Sequence, residues 1–166
     1  RMSSELGINW QDNFQQFDLN AMAAASLGQV HKAVLKNGDI VACKLQYPDM
    51  QSVIQADLNQ LKLIFSLYEK YDKAISTKYI HDELSARLFE EMDYALEARH
   101  CKLYGNMLND EKAVHVPRVI DDLSTDRLLT ATWLDGEKIL DYVDAHADTV
   151  GAAAERGYPH LGGVLG

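Results

Sequence analysis

Cysteine is almost missing from this 166-residue chain. Cys43 and Cys101 stand alone, outside any C-x-x-C or His-rich spacing, which excludes a disulfide-stapled scaffold and suits reduced thiols. The 6 histidines form no i,i+4 pair and no H-E-x-x-H, so zinc chemistry has no ligand set to use. No apolar run approaches the roughly 18 residues of a bilayer span, and no signal-type pattern opens the chain. Positive charge is scarce: 16 Lys and Arg face 25 Asp and Glu, a net charge of −9. With no local basic cluster, that balance argues against a nucleic-acid partner. Ser26 lies between Ala25 and Leu27 rather than in G-x-S-x-G, which argues against a hydrolase elbow. Internal repeats and low-complexity linkers are also missing.

What is present reads as an ordinary globular chain, 47% apolar and 25% charged. At this length a chain forms about one domain and buries roughly 70% of its unfolded surface, too little for two catalytic lobes. Leu6, Ile8, Trp10, Phe14 and Phe17 suggest an amphipathic opening segment, then a strand around Phe17 to Asn20. Two β-rich stretches, Leu27 to Leu35 and Asp39 to Tyr47, flank Asn37-Gly38, the strongest hairpin signal in the chain. Pro48-Asp49 ends that hairpin and can cap a helix. Ile54, Leu58, Leu61, Phe65 and Tyr68 follow at steps of four and three, one stripe of that helix. A second helix is expected from about Thr77 to Leu108, with Ile80, Leu84, Leu88 and Met92 in register and Gly105 fraying its end. Val114 to Ile120 and Arg127 to Leu134 look like strands joined by a turn at Asp121 to Asp126. A short helix is expected around Ile139 to Ala154. The order predicts an α+β fold: an antiparallel sheet of about five strands with helices on one side.

The chemistry lies at the start of the hairpin. Small side chains let a backbone approach phosphate oxygens, and a lysine on the next strand offers them a point charge. Ala23-Ala24-Ala25-Ser26-Leu27-Gly28-Gln29-Val30 fits the kinase loop G-x-G-x-x-G-x-V if alanine replaces the first two glycines. Val41-Ala42-Cys43-Lys44 then supplies V-A-x-K. A partly buried ammonium needs a carboxylate partner, and the candidates are Glu90, Glu91, Asp93 and Glu97. Read as one continuous helix, Glu90, Asp93 and Glu97 share a face, with Glu91 about a third of a turn away. Their mutual repulsion calls for compensation. Without a sugar cleft these carboxylates make a poor glycosidase pair.

Taken together, these passages resemble the UbiB (AarF) family of atypical protein-kinase-like proteins linked to ubiquinone biosynthesis. The resemblance spans about Leu6 to Leu140. It rests on the alanine-rich loop Ala23 to Ala33, the lysine strand Val41 to Pro48, and Glu91-Met92-Asp93-Tyr94-Ala95-Leu96-Glu97-Ala98, which is similar to the family's E-x-D-[YF]-x-x-E-A helix. It implies a kinase-like small lobe at 1–140, with a long helix behind the sheet and an extra helical insert from about Pro48 to Thr77. Residues 141–166 would be the truncated start of a large lobe or a disordered tail.

The resemblance also implies a nucleotide site built from Ala23, Ala24, Ala25, Ser26, Gly28, Val30 and Ala42. Lys44 would reach the α- and β-phosphates and pair with Glu97. Thr132 and Leu134 would offer backbone hydrogen bonds to adenine, with Ala131 behind them. Glu91 and Asp93 take the regulatory E-x-D positions that face an N-terminal extension. ATP or ADP with Mg²⁺ is the implied cofactor of the intact protein, and membrane or lipid-biosynthetic proteins are implied partners through other segments. The implied location is the cytoplasmic face of a bacterial inner membrane or its organelle equivalent, with this chain itself soluble.

The family's K-x-G-Q motif is expected upstream of residue 1, and its H-G-D-x-H-x-G-N and D-F-G motifs beyond the hinge. Arg156 to Gly163 keeps some spacer glycines, with Tyr158 and Gly163 at the would-be Asp and Asn positions. No catalytic or metal-binding residue is therefore assigned within the chain. The expected function is nucleotide binding by the small lobe of an atypical kinase or ATPase, incomplete and inactive as this chain. The alternative is a non-catalytic, nucleotide-responsive pseudokinase or scaffold module.

Overall fold

The structure, a computed structural model, describes residues 1–71, 77–137 and 139–145. The chain divides into two compact units, Arg1–Trp133 and Leu134–Gly166. In the second, the described residues form α5 (Ile139–Ala145). The remainder of the helix expected to Ala154 and the glycine-rich stretch at 156–163 lie outside the described residues.

The first unit opens with α1 (Met2–Leu6) and a 3-10 turn at Trp10–Asn13. The strands are β1 (Phe14–Phe17), β2 (Ala23–Ala25), β3 (Gly28–Leu35), β4 (Ile40–Gln46) and β5 (Leu128–Thr132). Helices α2 (Met50–Tyr71), α3 (Thr77–Glu91) and α4 (Tyr94–Met107) lie between β4 and β5 in sequence. The sheet is five-stranded and antiparallel, ordered β1-β3-β4-β5, with β2 also paired to β3. The α+β class and strand count agree with the sequence reading.

Alternation gives this sheet two unlike faces. On one, His31, Ala33, Leu35, Val41, Cys43, Leu45 and Leu128 are buried, most of them beneath Met2, Trp10, Phe14 and Leu123. Trp10, Phe14 and Phe17 meet edge to face with ring centroids 5.0–6.0 Å apart, an arrangement that suits their quadrupoles. The residues between, Val30, Lys32, Val34, Ala42, Lys44 and Ala131, remain only half-buried on the other face.

Several local expectations shift. The first strand ends at Phe17 rather than beginning there, and Ile8 is exposed instead of joining the core. The alanine run is itself a strand: Ala23 pairs with Val30 and Ala25 with Gly28, leaving Ser26 and Leu27 as a two-residue turn. Val114 to Ile120 forms no strand. Pro117 lacks an amide proton, and the stretch touches β5 through the Val119–Ala131 bridge and the Thr132 amide donating to the Arg118 carbonyl at 2.9 Å. The α2 stripe is buried at Ile54 and Leu58 but exposed at Tyr68. On α3, Ile80 and Leu84 are exposed rather than inward.

The long second helix is two helices. Asp93 has φ −85° and ψ 85°, outside helical values, and its side chain accepts from the Leu96 amide at 2.7 Å. That N-cap starts α4 afresh. The break is held from outside: buried Gln46 donates Nε2 to the Met92 carbonyl at 3.0 Å, and the Tyr94 amide donates to the Asp126 carbonyl at 3.3 Å. Gly105 frays nothing, because α4 continues through it to Met107.

Gly28 is the one loop glycine retained, and packing requires it. A Cβ there would fall inside contact distance of the Leu45 carbonyl oxygen and 2.9 Å from the Tyr94 hydroxyl. Gly28→Ala should therefore lower stability by about 1–3 kcal/mol. Gly105→Ala, whose Cβ would meet only Val116 at 3.8 Å, should raise it by about 0.5–1 kcal/mol. Urea titration reads both, and equal effects would contradict this packing.

Cys43 is fully buried, and burial pushes its thiol up to about 11, partly offset by Thr130. The neutral thiol is favoured, so its stabilisation is complete below the ordinary thiol range and is lost as pH rises through about 11. At pH 8 a maleimide should label half-buried Cys101 in the native protein and leave Cys43 untouched, with both labelled in denaturant. Mass mapping checks this, and native labelling of Cys43 would contradict it.

Candidate functional site

The open face of the sheet carries the candidate site. Lys44 sits on β4 between Val30 of β3 and Leu129 of β5, with Ala42 two residues back on the same side. Across the face, Val30 pairs in turn with Ala23. Small or aliphatic residues therefore surround the Lys44 ammonium. Helix α4 covers one end, where Tyr94, Ala98, Val119 and Leu129 form a small core.

That helix delivers the carboxylate. Lys44 Nζ donates to Glu97 Oε1 at 2.9 Å and to Oε2 at 2.6 Å. With the side chains 28% and 44% exposed, such a pair contributes about 0.2–1 kcal/mol. Its value for folding is therefore small, and its consequence is geometric: the ammonium is held over the open face.

The wheel drawn through a continuous helix does not survive the break at Asp93, and each acidic side chain has separate work. Glu90 accepts from Arg87 at 3.3 Å, Asp93 caps α4, and Glu97 takes Lys44. Exposed Glu91 ends α3 and lines a hollow of about 290 Å³ with Glu90, Glu97 and His100, so it is nearer Glu97 than the wheel implied. Asp93 opens on another hollow, of about 370 Å³, shared with Gln46, Arg99 and Arg127.

The alanine loop behaves as strand. Ala23 and Ala24 are exposed, Ala25 is half-buried and Ser26 sits exposed at the turn. Asp49 is the one non-glycine residue with positive φ among the described residues, so alanine replaces glycine at 23 and 25 without backbone strain. At the end of β5, the Thr132 amide and Oγ1 are already engaged by Arg118. A ligand contact from Thr132 would have to use its carbonyl. Leu134 begins the second unit and is exposed.

Three residues here carried no separate role in the sequence reading. Lys32 lies on the open face opposite Ala42, its Nζ 4.5 Å from the centre of the Trp133 ring. Leu129 pairs with Lys44. Tyr94 lies under Lys44, whose Nζ is 4.7 Å from its ring centroid. Its phenol is pushed up to about 12 by burial and then by the nearby Glu97 carboxylate, so it stays neutral. The β-strand period, applied to Val30/Lys32 and Leu129/Ala131, was signal enough for the first two.

Comparison with known proteins agrees with this geometry. Residues 1–154 match the ABC1 atypical kinase-like domain. The chain is 36% identical over 148 residues to the mitochondrial atypical kinase COQ8 of Saccharomyces cerevisiae, covering 89% of this chain and 30% of that protein. It is 37% identical over 139 residues to mitochondrial coq-8 of Caenorhabditis elegans, covering 84% and 18% respectively. Rv3197 of Mycobacterium tuberculosis, solved in complex with erythromycin, superposes with a TM-score of 0.76 at 27% identity, over 93% of this chain and 42% of that one. The chain thus spans less than a third of either curated relative. Its motifs, its sheet and these matches agree that it belongs to the ABC1, or UbiB-type, atypical kinase-like family.

Proposed function

We propose that this chain is the nucleotide-clamping small lobe of an atypical kinase or ATPase, taking ATP or ADP with Mg²⁺. The observation that carries the reading is the two-bond Lys44–Glu97 pair standing over the half-buried face of the sheet. Lys44 meets the α- and β-phosphates there. Ala23, Ala24, Ala25, Ser26, Gly28 and Val30 form the roof, Ala42 packs on the base, and Thr132 and Leu134 mark the adenine side. Glu91 and Asp93 act as regulatory positions toward an N-terminal extension. Residues 1–140 make up the small lobe.

Among the described residues no His, Cys, Asp or Glu cluster gathers for a metal. Mg²⁺ would be held by phosphates and by other parts of a longer protein, where it would neutralise developing charge. The family link extends the proposal to support of ubiquinone biosynthesis in an organelle or at a bacterial inner membrane, beside lipid-biosynthetic proteins. Both curated relatives above are named as mitochondrial. No described helix is long and apolar enough to cross a membrane.

Thermal unfolding tests the clamp. Nucleotide at about 100 times its dissociation constant should stabilise the chain by about 2.7 kcal/mol, a Tm rise of roughly 5–10 °C at this size. Lys44→Met should abolish that rise while lowering the ligand-free Tm by only a few degrees, about the worth of a half-exposed ion pair. An unresponsive wild type would favour a scaffold. The 166-residue chain should hydrolyse no ATP above background, and hydrolysis abolished by Lys44→Ala would overturn the inactive reading.

A further inference from the structure

Tyr94 is the largest fully buried side chain in the described structure, at 1% exposure, and its hydroxyl is the buried side-chain oxygen with no hydrogen-bond partner among the described residues. A core aromatic with an unpartnered phenol is an expensive choice where phenylalanine would fill the same space. Its surroundings explain the ring. One face of the ring takes the Lys44 ammonium at 4.7 Å, close enough for attraction to the π-cloud. Its hydroxyl lies directly under Gly28, where a single added carbon would come within 2.9 Å. Its backbone forms the first turn of α4, three residues before Glu97, and its amide is tied to the Asp126 carbonyl.

The ring thus touches two parts of the site that the sequence separates widely: the lysine and the end of the alanine loop. We propose that Tyr94 is a positioning residue of the clamp, its ring face holding the Lys44 ammonium against Glu97 and its hydroxyl edge supporting the loop at Gly28, so that loop and ion pair keep one fixed spacing. This rests on the nucleotide reading for its consequence but not for its geometry. A flat, rigid support restricts the flexible lysine stem before ligand arrives. Phosphate then meets a preset charge at lower entropic cost. Holding the ammonium needs only the aromatic face; the part of the hydroxyl is packing against the loop at Gly28.

Two measurements separate the proposal from the reading beneath it. In ¹³C-labelled protein without nucleotide, the Lys44 ε-methylene protons, assigned by Lys44→Arg, should show an upfield ring-current shift. Tyr94→Phe should retain the shift and leave Tm unchanged or higher; Tyr94→Leu should lose it. An unshifted Lys44 in the wild type overturns the proposal without any variant having to fold. By calorimetry with Mg·ADP, Tyr94→Phe should bind within about twofold of wild type and Tyr94→Leu roughly tenfold more weakly, the scale of a partly desolvated cation–π contact. Equal binding by wild type and Tyr94→Leu sinks it. Failure of the wild type to bind Mg·ADP sinks the nucleotide reading instead, and the ring-current shift then decides Tyr94 alone.

Discussion

The hydrogen bond from Gln46 to the Met92 carbonyl sets the geometry of the whole site. It ties the end of the lysine strand to the point where α3 stops, and there Asp93 begins α4 with its own cap. An unbroken helix from Thr77 would place Glu90, Asp93 and Glu97 on one face, competing for a single lysine at mutual repulsion. The break separates them. Each carboxylate then has its own partner, and only Glu97 meets Lys44. Gln46 is buried and follows Lys44 by two residues on the same side of β4, so strand register and helix start are locked together. A one-residue slip in β4 would turn both residues to the dry face.

The sheet depends on an equally simple division. Its dry face is closed from within the unit by the opening segment, through Met2, Trp10 and Phe14. The other face is roofed at one end by α4 and left half-open along Val30, Lys32, Ala42 and Ala131. A half-open face lined by small residues around Lys44 and Lys32 is poor material for a core and good material for a flat ligand with an anionic tail. The Lys44–Glu97 pair fits the same logic. It adds little stability, and it keeps an ammonium in place that would otherwise be solvated and mobile.

Much of this was legible because it is local. Asn37-Gly38 names its own turn, and Gly38 does adopt φ 91° between the two strands. The small-residue loop and V-A-x-K identify Lys44, and the resemblance of Glu91 to Ala98 to the family's E-x-D-[YF]-x-x-E-A helix selects Glu97. What escaped was set at a distance. Nothing in Glu90-Glu91-Met92-Asp93-Tyr94 forbids a continuing helix; the break depends on Gln46, far away in sequence. Val114 to Ile120 carries strand-forming residues, but Pro117 and a single bridge leave it outside the sheet. Tyr94 was visible as part of a motif yet read as no more than its aromatic position, because its neighbours come from β3 and β4.

The loop shows why glycine is not one requirement repeated three times. At positions 23 and 25 the backbone is ordinary antiparallel strand, which alanine tolerates, and the methyl groups point into space that is exposed or half-exposed. Alanine there narrows the conformations of the unfolded loop and lowers the entropy lost on ordering it. At position 28 the constraint is not a dihedral angle but proximity, since the Leu45 carbonyl and the Tyr94 hydroxyl already occupy the space of a side chain. Substitution is therefore tolerated where only flexibility is lost and excluded where two elements must touch. The second case defines the rigid point of the loop, and it lies against the same tyrosine that supports the lysine.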